Sequence, residues 1–380
     1  RVIESPEKRH WSPGSWNGQG YTAPAMNWHS LENKRILGTV PVEEDGSAAF
    51  YVPSDRFVYF QLLDADGMMI QSMRSGAHVQ SGERMTCVGC HEDRRTAPPA
   101  LSDLSPSAQL PRAWQRPPSR LSPWYGPPRE FGFMAEVQSV FTRRCVGCHD
   151  YGQEAGRKLN LAPDRTLTFN TAYTELWRKG YLRCVGGGPA EIQPAYSWGA
   201  HASKLVQVLR SPGTPGHEHL QLTAEELDRI VTWVDLNGVY YSTYACAYPD
   251  SLTGRCPLDA AQLTRLAELT GLDFGAQRNY YSNQGPEVSF DRPELSPLLA
   301  QFSDTSDPRY REALAIIQAG QEQLRRRPRA DMPGFVPSEP DQRREIKYAQ
   351  RRDIELRNRD AIRQGEKVYD DGTANVTDTR

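Results

Sequence analysis

The chain has 380 residues, a formal net charge of −2 and a hydrophobic fraction of 38%. That length accommodates two or three domains, and no apolar run approaches the roughly 18 residues that a membrane-spanning helix needs. The near-neutral charge gives no reason to expect nucleic acid or an anionic membrane as a partner. No signal-peptide pattern opens the sequence at Arg1, so we expect a removed leader or a longer polypeptide.

Residues 1–96 are predicted to form a small antiparallel β-domain. Runs rich in β-branched and aromatic residues, separated by turn signals such as Asp64–Gly67, favour short strands. These runs lie at 36–42, 48–52 and 56–63. Residues 97–128 contain nine prolines in 32 positions. They predict an extended Pro-rich connector, because proline donates no backbone hydrogen bond and does not fit a helix interior.

Residues 129–285 are predicted to form a mainly helical domain. Apolar positions along Phe133–Phe141 share one helical face. Thr223 and Glu226 fit a capping box, in which the N-cap threonine and the glutamate at the third helical position each accept the other's backbone N–H. The helix that follows is predicted to end near Gly238, where the apolar stripe stops.

Residues 286–380 are predicted to form a charged helical extension. Leucine and isoleucine spacing predicts further helices near 258–270 and 310–325. The tail at 341–370 mixes nine basic with seven acidic residues, which is typical of a solvated helix lying on other domains rather than a nucleic-acid arm. Taken in order, these segments predict an α+β fold with its sheet at the N-terminus.

The pentapeptide Cys-Val-Gly-Cys-His occurs twice, at 87–91 and at 145–149. Attachment of c-type haem requires two thiols spaced to add to the two vinyl groups of one porphyrin, followed by an imidazole beneath the iron. A Cys₄ zinc site would instead have about 15–20 residues between its pairs, and a thioredoxin-like site needs one Cys-x-x-Cys. The sequence therefore predicts two covalently bound haem c groups, attached through Cys87, Cys90, Cys145 and Cys148, with His91 and His149 as iron ligands.

Haem of this type is attached outside the cytoplasm, so we expect a periplasmic or extracellular protein whose helical domain is cytochrome c-like. Three cysteines remain. Cys246 and Cys256 are ten residues apart in a turn-rich stretch, which favours a disulfide in an oxidising compartment over two separate buried thiols. Cys184 is then the odd cysteine.

The second haem needs a distal ligand, and the helical domain offers three histidines. His217 comes just before the capping box at Thr223, so a firmly anchored helix would hold it. His201 is the alternative, and it could instead hydrogen-bond a propionate. His219 is the third candidate. We predict bis-histidine ligation of this iron by His149 and His217.

The sequence does not assign the sixth ligand of the first haem. The candidates are His10, Met26, His29, His78 and Met85. Nearby arginines could make bidentate contacts to the propionates; these are Arg74, Arg94 and Arg95.

Several segments resemble the hydrazine synthase alpha-subunit family, in particular its middle domain. In the first part of the chain they are Ile36–Ser47, Gln71–Ser75 and Gly82–Cys87. Further matches are Gly186–Glu191, Trp233–Asn237 and Pro328–Phe335. Members of this family usually place a β-propeller ahead of these segments, and none is visible in this sequence.

This resemblance implies an enzyme that makes hydrazine at the haem of its middle domain. It implies that this iron takes a tyrosine four residues after the motif histidine, which itself serves a zinc ion. Arg95 stands at the tyrosine's position here, which favours ordinary ligation by His91. The family pattern also places a ligand histidine a short polar step ahead of a helix, which matches His217 and not His219.

The sequence thus predicts a dihaem cytochrome that passes single electrons to other redox proteins or cytochrome subunits, in an oligomer or a multi-subunit assembly. The alternative is a hydrazine synthase alpha-like enzyme acting on a small nitrogen species at the first haem. A third interpretation is a structural role in a larger complex.

Overall fold

The computed structural model has an antiparallel sheet at its N-terminus and helices after it, which confirms the predicted α+β fold. The structure describes residues 1–6, 33–73, 75–87, 110–184, 193–211, 213–251, 254–274 and 286–366. Part of the first pentapeptide, including Cys90 and His91, lies outside these ranges.

Four strands form one antiparallel sheet in the order β2-β1-β3-β4. They are β1 (Val2–Glu4), β2 (Arg35–Gly38), β3 (Val58–Leu63) and β4 (Met69–Ser72). The predicted run at 36–42 overlaps β2, and the run at 56–63 contains β3. The run at 48–52 is not a strand, and only Phe50 forms an isolated bridge, to Ser119.

The described part of the Pro-rich segment lies along the sheet domain. Thr39 and Ser122 exchange two backbone hydrogen bonds of 2.9 Å, and the Tyr51 N–H donates to the Ser119 carbonyl oxygen at 3.0 Å. A single 3₁₀ turn occupies Arg112–Gln115. The segment therefore completes the β-region with isolated bridges, as expected where prolines interrupt strand pairing.

Eight α-helices lie in the described residues. They are α1 (Ser139–Arg144), α2 (Glu154–Lys158), α3 (Thr171–Arg178), α4 (Lys204–Arg210), α5 (Ala224–Asp235), α6 (Ala260–Thr270), α7 (Pro308–Arg326) and α8 (Glu339–Arg363). A π-helical turn at Met134–Gln138 runs directly into α1. The helices predicted before the second pentapeptide and in the regions of α5, α6 and α7 are confirmed. None of the helices in these ranges combines the length and apolarity needed to cross a membrane.

One hydrophobic core joins the sheet to the helices. Ile3, Ile36 and Tyr59 of the sheet belong to the same buried cluster as Phe133 and Trp233, and none of the five is more than 5% exposed. Apolar burial is the main favourable term in folding, so the sheet and the helices stabilise each other. The proposed domain boundaries after residues 96, 128 and 285 stay predictions.

The C-terminal end of α5 is tied to the sheet by a buried carboxylate. Asp235 accepts the backbone N–H of Met69 at 2.9 Å and that of Ala200 at 2.8 Å. Gly199 has a φ of 77°, and a Cβ on it would lie 2.7 Å from Asp235 Oδ1. The chain can pass this close to the carboxylate only because residue 199 has no side chain.

A second core lies in the C-terminal part of the chain. Leu266 of α6 and Ile317 of α7 are fully buried in it. The charged helix α8 follows, and its Asp341 accepts the backbone N–H of Cys246 at 2.9 Å. Near its other end, Arg359 forms an ion pair with Asp55 of the β-region. The helix therefore reaches from the second core to the sheet domain.

Candidate functional site

The second pentapeptide forms a backbone turn directly after α1. The Cys145 N–H donates to the Phe141 carbonyl oxygen at 2.8 Å. The N–H groups of Cys148 and His149 donate to the Cys145 carbonyl oxygen, at 3.1 and 2.9 Å respectively. Val140 and Phe141 are fully buried, so the core holds the helix that carries this turn. Both thiols and the imidazole are thus placed on one turn, as haem attachment requires.

Backbone contacts set the orientation of the His149 ring. Its Nδ1 lies 2.8 Å from the carbonyl oxygen of Leu159, which is buried. Because a carbonyl oxygen can only accept, Nδ1 carries the proton and Nε2 has the free lone pair. The His149 carbonyl oxygen accepts from the Leu161 N–H at 2.9 Å. Metal-ligating histidines are commonly oriented by such a hydrogen bond from the other ring nitrogen.

The loop between α4 and α5 places His217 opposite His149. The His217 N–H donates to the Thr214 carbonyl oxygen and the Leu220 N–H donates to that of His217, both at 2.9 Å. The centres of the two imidazole rings are 5.9 Å apart, and their planes differ by 6°. The structure thus brings together the two histidines named from the sequence.

This spacing fits a metal ion between the two rings. Two imidazoles that bind one metal from opposite sides have centres about 6 Å apart, because each metal–nitrogen bond is about 2 Å long. His217 Nδ1 is buried, and none of the described residues gives it a hydrogen-bond partner. A buried polar atom in this state is one that a bound group can satisfy. The arrangement fits a haem, whose porphyrin supplies the remaining iron ligands.

The surroundings of the histidine pair limit which kinds of metal site it could form. Among the residues that the structure describes, no group of three or more histidine, cysteine, aspartate or glutamate side chains could hold a metal ion by itself. Cys148 is exposed and Cys145 is half-buried. Burial raises the pKa of the Cys145 thiol to about 12, with the charge of Glu226 adding to it. A neutral thiol of this kind is a poor nucleophile, which disfavours thioredoxin-like chemistry.

Glu226 connects the two ligand-bearing segments. It closes the capping box with Thr223, through contacts of 3.0 and 3.1 Å. The same carboxylate accepts Arg144 Nε at 3.0 and 3.1 Å and Arg143 at 3.4 Å. The hydrogen bond from Arg144, followed by that from the Thr223 backbone, lowers the pKa of Glu226 below its usual range. The sequence indicated the capping box but not the arginine contacts.

The residue after His149 is also anchored. Arg292 makes two hydrogen bonds to the Asp150 carboxylate, at 2.8 and 2.6 Å, and two to that of Asp164, at 2.8 and 2.6 Å. The hydrogen bonds from Arg292 hold the pKa of Asp150 below its usual range. Sequence reasoning missed Arg292, because nothing in the local pattern pairs it with a residue 142 positions away.

The other two histidine candidates have different surroundings. His201 Nε2 lies 2.9 Å from Asp64 Oδ2, and its ring packs edge-to-face on Tyr196 with ring centres 4.9 Å apart. His201 therefore faces the turn between β3 and β4. His219 is exposed. Within the described part of the chain, His201 Nε2 shares with His217 Nδ1 the lack of a hydrogen bond of good geometry, but it lies against a carboxylate, whereas the His217 ring lies against that of His149. The ligand assignment itself stays a prediction.

The first pentapeptide is described only at Cys87, which is exposed. Several predicted residues lie outside the described ranges, namely Cys90, His91, His10, Met26, His29, Arg74, Arg94 and Arg95. His78 and Met85 are described, and both are exposed. The ligands of the first haem therefore stay predictions.

The two cysteines of the proposed disulfide differ in burial. Cys246 is half-buried and Cys256 is 2% exposed, and the bond between them stays a prediction. Cys184 is also described, and burial raises the pKa of its thiol well above the usual range.

Comparison with known proteins supports the resemblance seen in the sequence. Residues 1–92 match the family described as hydrazine synthase alpha subunit middle domain, so this chain is similar to that domain over the segment. None of the curated proteins matches. The solved Kuenenia stuttgartiensis Hydrazine Synthase is similar at 18% identity and a TM-score of 0.35, over 63% of this chain and 38% of that one. The chain therefore spans well under half of that protein's chain.

Proposed function

We propose that this chain, hydrazine synthase alpha-like over its first 92 residues, is a dihaem c-type cytochrome that transfers single electrons. The observation that carries the proposal is the parallel pair of His149 and His217, whose ring centres are 5.9 Å apart. His149 directly follows the Cys-x-x-Cys turn. Cys145 and Cys148 would form the thioethers of the second haem.

When bound, the haem iron supplies one-electron oxidation and reduction. The chain's own residues hold the site in one geometry. The Leu159 carbonyl oxygen keeps the proton of His149 on Nδ1 and leaves Nε2 for the iron. Two turns hold the backbone of His217. With a haem bound, His149 and His217 would both hold the iron, and two rigidly held imidazoles would favour electron transfer over ligand exchange.

The rest of the proposal extends the same chemistry to the first motif. Cys87 and Cys90 would attach the first haem, with His91 as its proximal ligand. Haem attachment of this kind implies a periplasmic or extracellular location. The partners would be other redox proteins or cytochrome subunits, in a multi-subunit assembly.

A second candidate function is catalysis on a small nitrogen species at the first haem. It is favoured by the match of residues 1–92 to the hydrazine synthase alpha subunit middle domain. Arg95 in place of the tyrosine expected from that family argues against it. The two functions differ in whether the first iron has an open coordination site.

Mass and spectra of the purified protein test these proposals. We expect a mass increment of two haems in denatured protein, and a low-spin bis-histidine spectrum for the second haem. His217→Ala should open that iron and add a carbon monoxide-binding phase to the reduced protein, whereas the matched His219→Ala variant should not.

An increment of one haem would contradict dihaem attachment. Loss of the low-spin spectrum in His201→Ala alone would contradict the assignment of His217 as the second iron ligand. Rapid carbon monoxide binding by unmutated protein, at a rate that His217→Ala leaves unchanged, would indicate an open first iron and would favour catalysis at the first haem.

A further inference from the structure

The carboxylate of Glu226 joins the segment that carries one imidazole to the segment that carries the other. Its contacts to Thr223 begin α5, six residues after His217. Its contacts to Arg144 reach the last residue of α1, immediately before Cys145. The Glu226 side chain is only 8% exposed, so little water competes for these hydrogen bonds.

We propose that Glu226 is a positioning residue that holds His217 against the iron by clamping the start of α5 to the end of α1. This inference rests on the proposed haem site. Without the clamp, the described part of the chain holds the loop that carries His217 to the core through its two flanking helices, α4 and α5. The distance between the two imidazoles would then vary more, and His217 would leave the iron more often.

The chain allows the two functions of Glu226 to be separated. Glu226→Gln keeps the capping box, because glutamine also serves at the third helical position, but it removes the charge that Arg144 contacts. Thr223→Ala weakens the capping box and leaves the Arg144 contact in place. Glu225→Gln is the matched control. Glu225 is the adjacent residue, 51% exposed, and pairs with Arg229 instead.

The experiment uses the full-length holoprotein and measures carbon monoxide binding after reduction, which reports dissociation of His217. We expect unmutated protein to show a slow phase, limited by the departure of His217, and Glu226→Gln to make that phase about tenfold faster, the effect of losing one charged hydrogen bond. Arg144→Gln should have the same effect, and the double variant should add little, because both changes remove one interaction. Glu225→Gln should stay within about twofold.

Thermal unfolding of each variant separates positioning from general stability. If Glu226 acts as a clamp, Glu226→Gln should bind carbon monoxide faster than Thr223→Ala does. This should hold even where Thr223→Ala lowers the unfolding temperature by as much or more. If Glu226→Gln binds carbon monoxide as slowly as unmutated protein, and the latter has a bis-histidine spectrum, the positioning role is wrong while the haem site stands. If unmutated protein lacks that spectrum, the proposed site itself is wrong.

Discussion

Arg329 is a fully buried guanidinium whose hydrogen bonds join the C-terminal part of the chain to the helical region. It donates to the carbonyl oxygens of Thr166 at 2.7 Å and Phe169 at 2.8 Å, and to Asp331 at 2.8 Å. Asp331 also accepts the Tyr240 hydroxyl at 2.7 Å. Burial acts to raise the pKa of Asp331, but the nearby Arg329 outweighs it and holds that pKa below the usual range.

We expect Asp331→Asn to lower the free energy of unfolding by about 3–5 kcal/mol at neutral pH, because Arg329 becomes an uncompensated buried charge. The folded-state pKa of Asp331 is depressed, so its contribution is present above the unfolded value of about 3.9 and is lost as the pH falls below it. Urea unfolding at neutral and at acidic pH should therefore show a deficit that shrinks in acid.

The control for this variant is Asp353→Asn, at an exposed position of α8. It should change the free energy of unfolding by less than about 0.5 kcal/mol at either pH. A deficit in Asp331→Asn that is equally large in acid would mean that lost packing, rather than the ion pair, explains the destabilisation.

Contacts between residues far apart in the chain, such as those of Arg329, could not be predicted from the sequence. The pairing of His149 with His217 could be proposed, because the pentapeptide contains His149 and His217 lies just before the capping box. The contact of Glu226 with Arg144 and that of Arg329 with Thr166 could not, because these partners lie 82 and 163 residues away along the chain. Local spacing rules relate only residues within a turn or a strand pair.

At the scale of elements, α8 differs from the other helices in how it is attached. The two buried residues in its 25 are polar, Asp341 and Asn358, while Ile346 and Leu356 are 59% and 53% exposed. Its contact with the β-region includes the ion pair of Arg359 with Asp55. Surface ion pairs contribute about 0–1 kcal/mol and are screened by salt. The attachment of this helix therefore depends on charge more than on apolar burial.

We predict that Asp55→Asn loosens the C-terminal half of α8. Asp55 has a φ of 59°, which asparagine tolerates, so the substitution removes the charge and keeps the backbone turn. Hydrogen exchange there should accelerate by up to about fivefold, in keeping with a surface ion pair. High salt should accelerate it in unmutated protein and have little further effect in the variant. Equal acceleration near Asp341 would contradict this local attachment.

The elements that the sequence predicted best are helices with a regular apolar spacing. The helix α5 has an apolar stripe and a capping box as well, while α6 and α7 have regular leucine and isoleucine spacing. The strands β1 and β4 were missed because three or four residues are too few to show a period of two. The expected strand at 48–52 has the right composition, but its pairing partner is the Pro-rich segment, which supports only a single bridge.

At the scale of the whole molecule, the shared core makes the sheet part of the candidate site's support. Ile3 and Ile36 lie in the same buried cluster as Trp233 and Val234 of α5, the helix that follows His217. Asp235, at the end of that helix, also binds the backbone of β4. The N-terminal sheet and the helical region should therefore unfold together rather than as independent domains.

The last prediction tests this coupling with Ile36→Ala, a truncation in β2 at a position that is 5% exposed. Removing a buried isoleucine side chain costs about 2–5 kcal/mol. If the core is one cooperative unit, hydrogen-exchange protection should fall by the same free energy in the amides of β3 and of α5. Ile346→Ala, at an exposed position of α8, should change neither by more than about 0.5 kcal/mol. Loss of protection in β3 with α5 unchanged would show that the sheet opens alone, and that the site does not depend on it.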